Sequence, residues 1–332
     1  MKRFTSFVVV LGTCCVTVGQ DAGQVEAAAD AAIPFDHHMH IVSPRLNTML
    51  KRLMDRDRSD EQYTDVGAIL EVNRVERGLF LSAAYLWSGF GLGEQELAMV
   101  RAENDHLAAQ VRVHADRSVG FCSVNPLRDY AEDEVRRCHE IGLVGLKLHL
   151  NHTKLDLRDR VQAEAVRDLL ALAAELGMPV LIHVDSGADD FGREDLQRFV
   201  AMLESLPALE LYIAHLGTNG GFDQSTRDAL EVLDQAVVSG SLDHHTVLLE
   251  LSGVVMSREN TRLQSVPAAD LLELGVIMRR MGIERFVFGT DYSILDGPTY
   301  ASQLRESLGL TDEEFDLLMS NGGPVLRALD DR

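Results

Sequence analysis

The stretch Pro34-Phe35-Asp36-His37-His38-Met39-His40 passes from apolar to polar and ends with three histidines. Read as a β-strand, its alternation places Asp36, His38 and His40 on one face and His37 and Met39 on the other. Two imidazoles two residues apart on one strand can hold a single divalent ion at about 2.0 to 2.2 Å each, with Asp36 beside them as ligand support or charge partner. Taken alone, the stretch also fits a histidine-rich loop or a surface metal scavenger. The positions of the other histidines and of one aspartate decide between these.

From Ile33 onward, short β-branched runs alternate with longer amphipathic ones. Strands are expected at Ile33 to His40, Gly78 to Ala83, Val119 to Val124, Val144 to His149, Pro179 to His183, Glu210 to His215, Val247 to Ser252 and Arg285 to Asp291. The clearest helix carries Val166, Leu169, Leu170, Ala173 and Leu176 on one face and is ended by Gly177 and Pro179. Others are expected near Glu94 to Ala115, Asp129 to Glu140, Gln224 to Val238, Ala268 to Met281 and Thr299 to Ser307. Strand and helix alternating over short connections imply parallel strands with right-handed crossovers. A single α/β domain, a (β/α)8 TIM barrel over residues 33–332, is the economical closure. An open doubly wound sheet is second, and the lack of a Gly-rich phosphate loop after any early strand counts against it.

The N-terminus stands apart from this pattern. Lys2 and Arg3 precede an apolar run from Phe4 to Val18, so residues 1–20 are expected to be a secretory signal peptide, its core too short to span a bilayer. Residues 21–32, rich in Ala, Gln and Asp, then read as a solvated tether. The protein is therefore expected to be exported, to the periplasm or beyond. Leu11-Gly12-Thr13-Cys14 resembles a lipoprotein cleavage box, which leaves a lipid anchor on Cys14 or Cys15 open. A net charge of -21 argues against nucleic acid or an anionic membrane as partner. A small-molecule substrate remains, even an anionic one, because a bound metal dominates the field at its own site. Cys122 and Cys138 either pair or stay as buried thiols, and no Cys-based zinc site is present. The oligomeric state is not readable.

In a barrel of this kind the chemistry gathers where the βα loops converge, at the carboxyl ends of the strands. The first expected strand ends at His38 and His40, the fifth at His183, the sixth at His215 and the eighth at Asp291. One such histidine is commonly a hydrogen-bonded core residue. Five metal-type side chains at matching positions of four strands are hard to attribute to packing.

Further motifs accompany them: Asn104-Asp105, Val124-Asn125-Pro126, Gly142-Leu143-Val144-Gly145-Leu146-Lys147-Leu148-His149, Ala214-His215-Leu216-Gly217, Leu251-Ser252-Gly253, Phe288-Gly289-Thr290-Asp291-Tyr292 and Asn321. In this order they resemble the amidohydrolase superfamily, in the amidohydrolase-related branch that also holds decarboxylases of the aminocarboxymuconate-semialdehyde type. The resemblance runs from Ile33 to Leu329. It implies that His38, His40, His183 and Asp291 bind one divalent ion, usually zinc, and that His215 is a catalytic imidazole beside it. Such a shell can leave an open position where bound water approaches a pKa of about 7, and Asp291 can take its proton as general base.

The expected activity is thus metal-dependent hydrolysis of an amide, lactone or other ester by a metal-activated water. The alternative is nonoxidative decarboxylation of an unsaturated or aromatic acid. A noncatalytic metal-binding envelope protein is a third reading, opposed by Asp291 and His215 together. Lys147 separates finer cases. Carboxylated, it bridges two ions; as a free ammonium it attracts a substrate carboxylate or simply pairs with an acidic neighbour; a single ion is expected. His149 and Glu250 are weaker candidates for the pocket, each read first as structural. Tyr85 and Trp87, in a Gly-rich loop after the second strand, are candidate substrate contacts or ordinary loop packing. Residues 43–65 form a polar stretch that reads as a lid or an exposed helix.

Overall fold

The computed structural model describes residues 32–53, 59–259 and 262–330, so the expected signal peptide and residues 21–31 of the tether lie outside the described residues. Eight parallel strands follow one another in chain order around one sheet: β1 Ile33–Ile41, β2 Val75–Ser82, β3 Ser118–Ser123, β4 Gly145–His149, β5 Val180–His183, β6 Glu210–Ile213, β7 Thr246–Glu250 and β8 Phe286–Val287. Helices cover the sheet, and strands buried on both faces read as near-continuous apolar runs. All six residues of β3 are buried. The architecture is the expected TIM barrel.

Local signals start and stop the helices as the sequence suggests. Asp159 caps Arg160–Glu175 by accepting from the Val161 and Gln162 amides, and Asp223 caps Gln224–Val238 in the same way. Gly177, at φ +64°, follows the first of these helices. Helix Pro44–Leu53 falls in the stretch read as a lid or an exposed helix, whereas helices Arg193–Glu204, Asp312–Ser320 and Gly323–Asp330 were not anticipated. Nor was a hairpin, Met256–Glu259 with Arg262–Ser265, inside the loop after β7. Residues 54–58 of the expected lid lie outside the described residues. Among the described residues no helix is long and apolar enough to cross a membrane.

Two apolar layers hold the barrel. An inner cluster of Phe35, Leu79, Leu81, Val119, Phe121, Leu181, Tyr212 and Leu248 fills its floor, and Val325 and Leu329 of the last helix close it from below. Gly145 makes room for this filling, since a Cβ there would meet the Phe121 ring at 2.3 Å. An outer layer packs strand residues such as Met39, Cys122 and Ile182 against the helices. Cys122 and Cys138 are free, buried thiols.

The seam between β8 and β1 corrects the expected alternation. The β1 register slips between Asp36 and Met39 against β2, which marks a β-bulge. His37 therefore faces inward, its ring 4.5 Å from Phe35 and 5.5 Å from Tyr212, while Met39 faces the outer layer. His37 and His38, expected on opposite faces, both serve the interior. Asp36 is no partner of the histidine pair. Its carboxylate clasps the seam, accepting from the His38 amide at 2.9 Å, the Thr290 amide at 3.1 Å and the Thr290 hydroxyl at 2.7 Å. Beyond the last two-residue strand, the chain continues alongside β1 through Tyr292 N to His38 O at 3.1 Å and His40 N to Tyr292 O at 2.8 Å.

Three strands also end two to four residues earlier than expected. β6 stops at Ile213, β7 at Glu250 and β8 at Val287. His215, Ser252 and Asp291 therefore sit on the turns beyond them.

Candidate metal centre

β1 brings His38 and His40 to the barrel mouth, and the turn after β8 brings Asp291. Asp291 has φ +54°, and His215 and Leu216 have φ +52° and +56°. Such left-handed backbone costs a non-glycine residue about 1–2 kcal/mol, and it tends to persist where a site requires a particular side-chain direction.

His38 Nε2 lies 3.1 Å from His40 Nε2, and both lie 3.3 Å from Asp291 Oδ1. These donor atoms all fall within 4.8 Å of one another. His215 Nε2 stands 3.9 Å from Asp291 Oδ2. His38 is fully buried, whereas the His40 and Asp291 side chains keep 18% and 14% of their surface, so the group opens on that side.

The protonation pattern suits a cation. His38 Nδ1 is 2.7 Å from Oε2 of the buried Glu250 carboxylate. Burial raises the Glu250 pKa while the His215 and Lys147 charges and the Ser252 hydroxyl pull it back; as a carboxylate it only accepts, so the ring hydrogen belongs on Nδ1 and the Nε2 lone pair faces the centre. Burial, reinforced by the Lys147 charge, holds the His38 pKa well below the ordinary histidine value. Burial opposes ionisation of Asp291, but the surrounding imidazoles of His38, His40 and His215 outweigh it and keep its carboxyl below the usual range. His40 Nε2 faces the other donors, and its Nδ1 is buried with no hydrogen-bond partner among the described residues. Two imidazole nitrogens and a carboxylate oxygen form a donor set for a divalent first-row ion.

Of the expected ligands, the structure groups these three, while His183 lies against His149 and His215. The His183 ring stacks on His149 at 4.2 Å between centroids and meets the His215 ring at 4.9 Å. Lys147 Nζ is 3.4 Å from His38 Nε2, and burial pushes its pKa down to about 8 against the pull of Glu250 and Asp291.

Tyr85 lies 6.4 Å from the His40 ring, 4.9 Å from His149 and 5.3 Å from His152. Burial, then the Asp291 charge, pushes its phenol up. Trp87 is packed as loop support. It is 2% exposed, contacts Phe90, and donates to Glu103, which also accepts from the Ser43 amide and hydroxyl. Glu103 thus ties the first two βα loops to helix Glu96–Val113.

Sequence reasoning undervalued Glu250 and His149 and passed over His152. Glu250 ends an apolar strand as a charged residue, as the metal-type histidines do, and that signal was available. His149 and His152 become part of the site only through a short helix, Leu150–Thr153, in which His149 Nδ1 accepts from the His152 amide.

No curated protein sequence matches the chain. Among solved structures, a putative amidohydrolase from Staphylococcus aureus superposes with TM-score 0.59 at 15% identity, covering 89% of this chain and 99% of that one. The 5-carboxyvanillate decarboxylase of Sphingomonas paucimobilis gives 0.59 at 16%, covering 90% and 99%. A dihydroxybenzoic acid decarboxylase from Polaromonas, with bound manganese and an inhibitor, gives 0.54 at 15%, covering 91% and 97%. At these identities the likeness is one of fold. The family model for amidohydrolases, by contrast, matches residues 35–321, from the first histidine strand to the asparagine beyond Asp291. That span contains every donor at the barrel mouth, and the chain belongs to the amidohydrolase family.

Proposed function

We propose that the protein is a metal-dependent nonoxidative decarboxylase of a planar, unsaturated or aromatic carboxylic acid. The observation that carries this choice over hydrolysis is the aromatic wall beside the donor group, where His149 stacks on His183 at 4.2 Å and Tyr85 and His152 meet these rings tilted or edge-on at 4.9 to 6.1 Å. Such a wall offers π faces to a conjugated acid. The decarboxylase activity of two structural relatives agrees with this reading.

His38, His40 and Asp291 would hold the divalent ion, zinc or manganese, with His183 against the His215 ring. Bound there, the ion would supply Lewis acidity toward a substrate oxygen. The chain's own groups do the rest. Lys147, while protonated, draws the acid's charge into the mouth. The wall holds the conjugated plane so that the scissile carbon–carbon bond faces the polar side. As that bond breaks and carbon dioxide leaves, the electron pair stays on the carbon, which takes a proton that His215 Nε2 is placed to pick up from solvent and deliver. Its other ring nitrogen is engaged by the Ser252 carbonyl at 3.0 Å.

The second reading, hydrolysis of an amide, lactone or ester, is favoured by Asp291. This carboxylate is held ionised beside His215 and could serve as proton acceptor from a water.

Purified protein loaded with Mn²⁺ or Zn²⁺ should release carbon dioxide from hydroxybenzoates or conjugated dienoic acids, and a chelator should abolish release. Hydrolysis of lactones or esters with no carbon dioxide from any acid would overturn the proposal in favour of the second reading. Metal analysis should return about one ion per chain, and about two would imply a carboxylated Lys147.

A further inference from the structure

Two imidazoles that reach the mouth from opposite parts of the chain share one buried anchor. Glu250, 0% exposed at the end of β7, contacts His38 Nδ1 through both oxygens, at 3.0 and 2.7 Å. It also accepts from the Ser252 hydroxyl. Ser252 Oγ in turn lies 2.7 Å from His215 Nδ1 and 3.4 Å from His38 Nδ1, and the Ser252 carbonyl lies 3.0 Å from His215 Nδ1.

The donors and acceptors allow one consistent direction. A carbonyl only accepts, so His215 carries its hydrogen on Nδ1. The serine hydroxyl can then accept from that N–H while donating its own hydrogen to Glu250. His38 donates to the same carboxylate from Nδ1. Both Nε2 atoms are thereby left bare and pointed at Asp291, at 3.3 and 3.9 Å.

The surroundings are shaped for this arrangement. A Cβ on Gly289 would fall 2.1 Å from Glu250 Oε1 and 3.0 Å from His38 Cβ, so only glycine admits the carboxylate. The Ser252 turn is pinned by Tyr300, whose hydroxyl contacts the Leu251 carbonyl and accepts from the Val254 amide at 3.1 Å.

We propose that Glu250 is a positioning residue for both halves of the site, orienting His38 directly as a metal ligand and His215 through Ser252 as a proton carrier. The inference rests on the roles given to those two histidines above. It adds that a single carboxylate couples them, and that the two branches can be cut separately.

Histidine ¹⁵N NMR of the metal-free full chain tests the pattern without any activity. Both His38 and His215 should carry hydrogen on Nδ1. Glu250→Gln should move His38 toward the Nε2–H form and weaken Mn²⁺ or Zn²⁺ binding, read by chelator competition, about 10- to 100-fold. Ser252→Ala should leave the His38 tautomer in place and metal affinity within about twofold, yet lower kcat about 10- to 100-fold at constant KM. Because it removes only a hydroxyl, this variant keeps the test decisive if Glu250→Gln fails to fold. An Nε2–H form at either ring of the wild-type protein would overturn the inference, as would equal losses of metal affinity in the two variants. If instead no acid releases carbon dioxide while both tautomers are as stated, the decarboxylase reading falls and the coupling stands.

Discussion

His37 and His38 are neighbours in the chain and belong to different regions of the barrel. His37 is a floor residue, fully buried among Phe35 and Tyr212, with ring nitrogens 2.9 Å from the Phe288 carbonyl and 3.1 Å from that of Gly322. His38 is a mouth residue, with one nitrogen committed to Glu250 and the other aimed at His40 and Asp291. The floor below is apolar and closed by the C-terminal helix, while the mouth above crowds imidazoles, carboxylates and an ammonium around backbone at positive φ. The same strands build both. The difference teaches that the floor supplies stability and the mouth spends part of it on chemistry, as functional sites generally do.

The sharpest way to break this division is Asp291→Asn. Turnover should fall about 10²- to 10⁴-fold, the range for losing a positioned acid–base group, while the thermal midpoint stays level or rises. Full turnover with metal bound would remove Asp291 from the chemistry. Next comes Phe121→Ala on the floor, expected to cost about 3–5 kcal/mol in urea unfolding with KM unchanged. A large change in KM would show that floor and mouth are not separable. His37→Leu should cost less, about 1–3 kcal/mol, because it strips a donor from buried carbonyls, and metal affinity should hold.

The smallest effect is a pH slope confined to the mouth. Burial pushes His152 down to about 4 from its ordinary 6.5. The unfolded chain therefore binds more protons between those values, and stability rises with pH across that window. His152→Gln should flatten that rise in denaturant titrations, and an unaltered slope would place the titration elsewhere.

The fold was legible because its signal is repetitive. Every barrel strand was located within a few residues, and helices Gln224–Val238 and Ala268–Met281 match the expected ends. His38, His40 and Asp291 were legible for the same reason, as metal-type residues recurring where apolar strands end. The bulge at His37 was not, since no glycine or proline at that point of β1 marks it and it shows only in the register against β2, where Asp36 pairs with Gly78. Trp87 looked like a candidate substrate contact because the chain's only tryptophan falls in a glycine-rich loop. Glu103, on the following helix, claims its indole instead.

By itself the sequence determined the periodicities and the residue types: strands and helices in alternation, an apolar interior, and histidines with one aspartate at the strand ends. Those are properties of short windows, where side-chain hydrophobicity and backbone preference act locally. Only the tertiary structure decided that His183 lies against His149 and His215, that Glu250 and Ser252 link His38 to His215, and that Asp36 clasps the seam. Hydrogen bonds of about 3 Å depend on how distant strands meet, and that meeting is set by closure of the whole barrel.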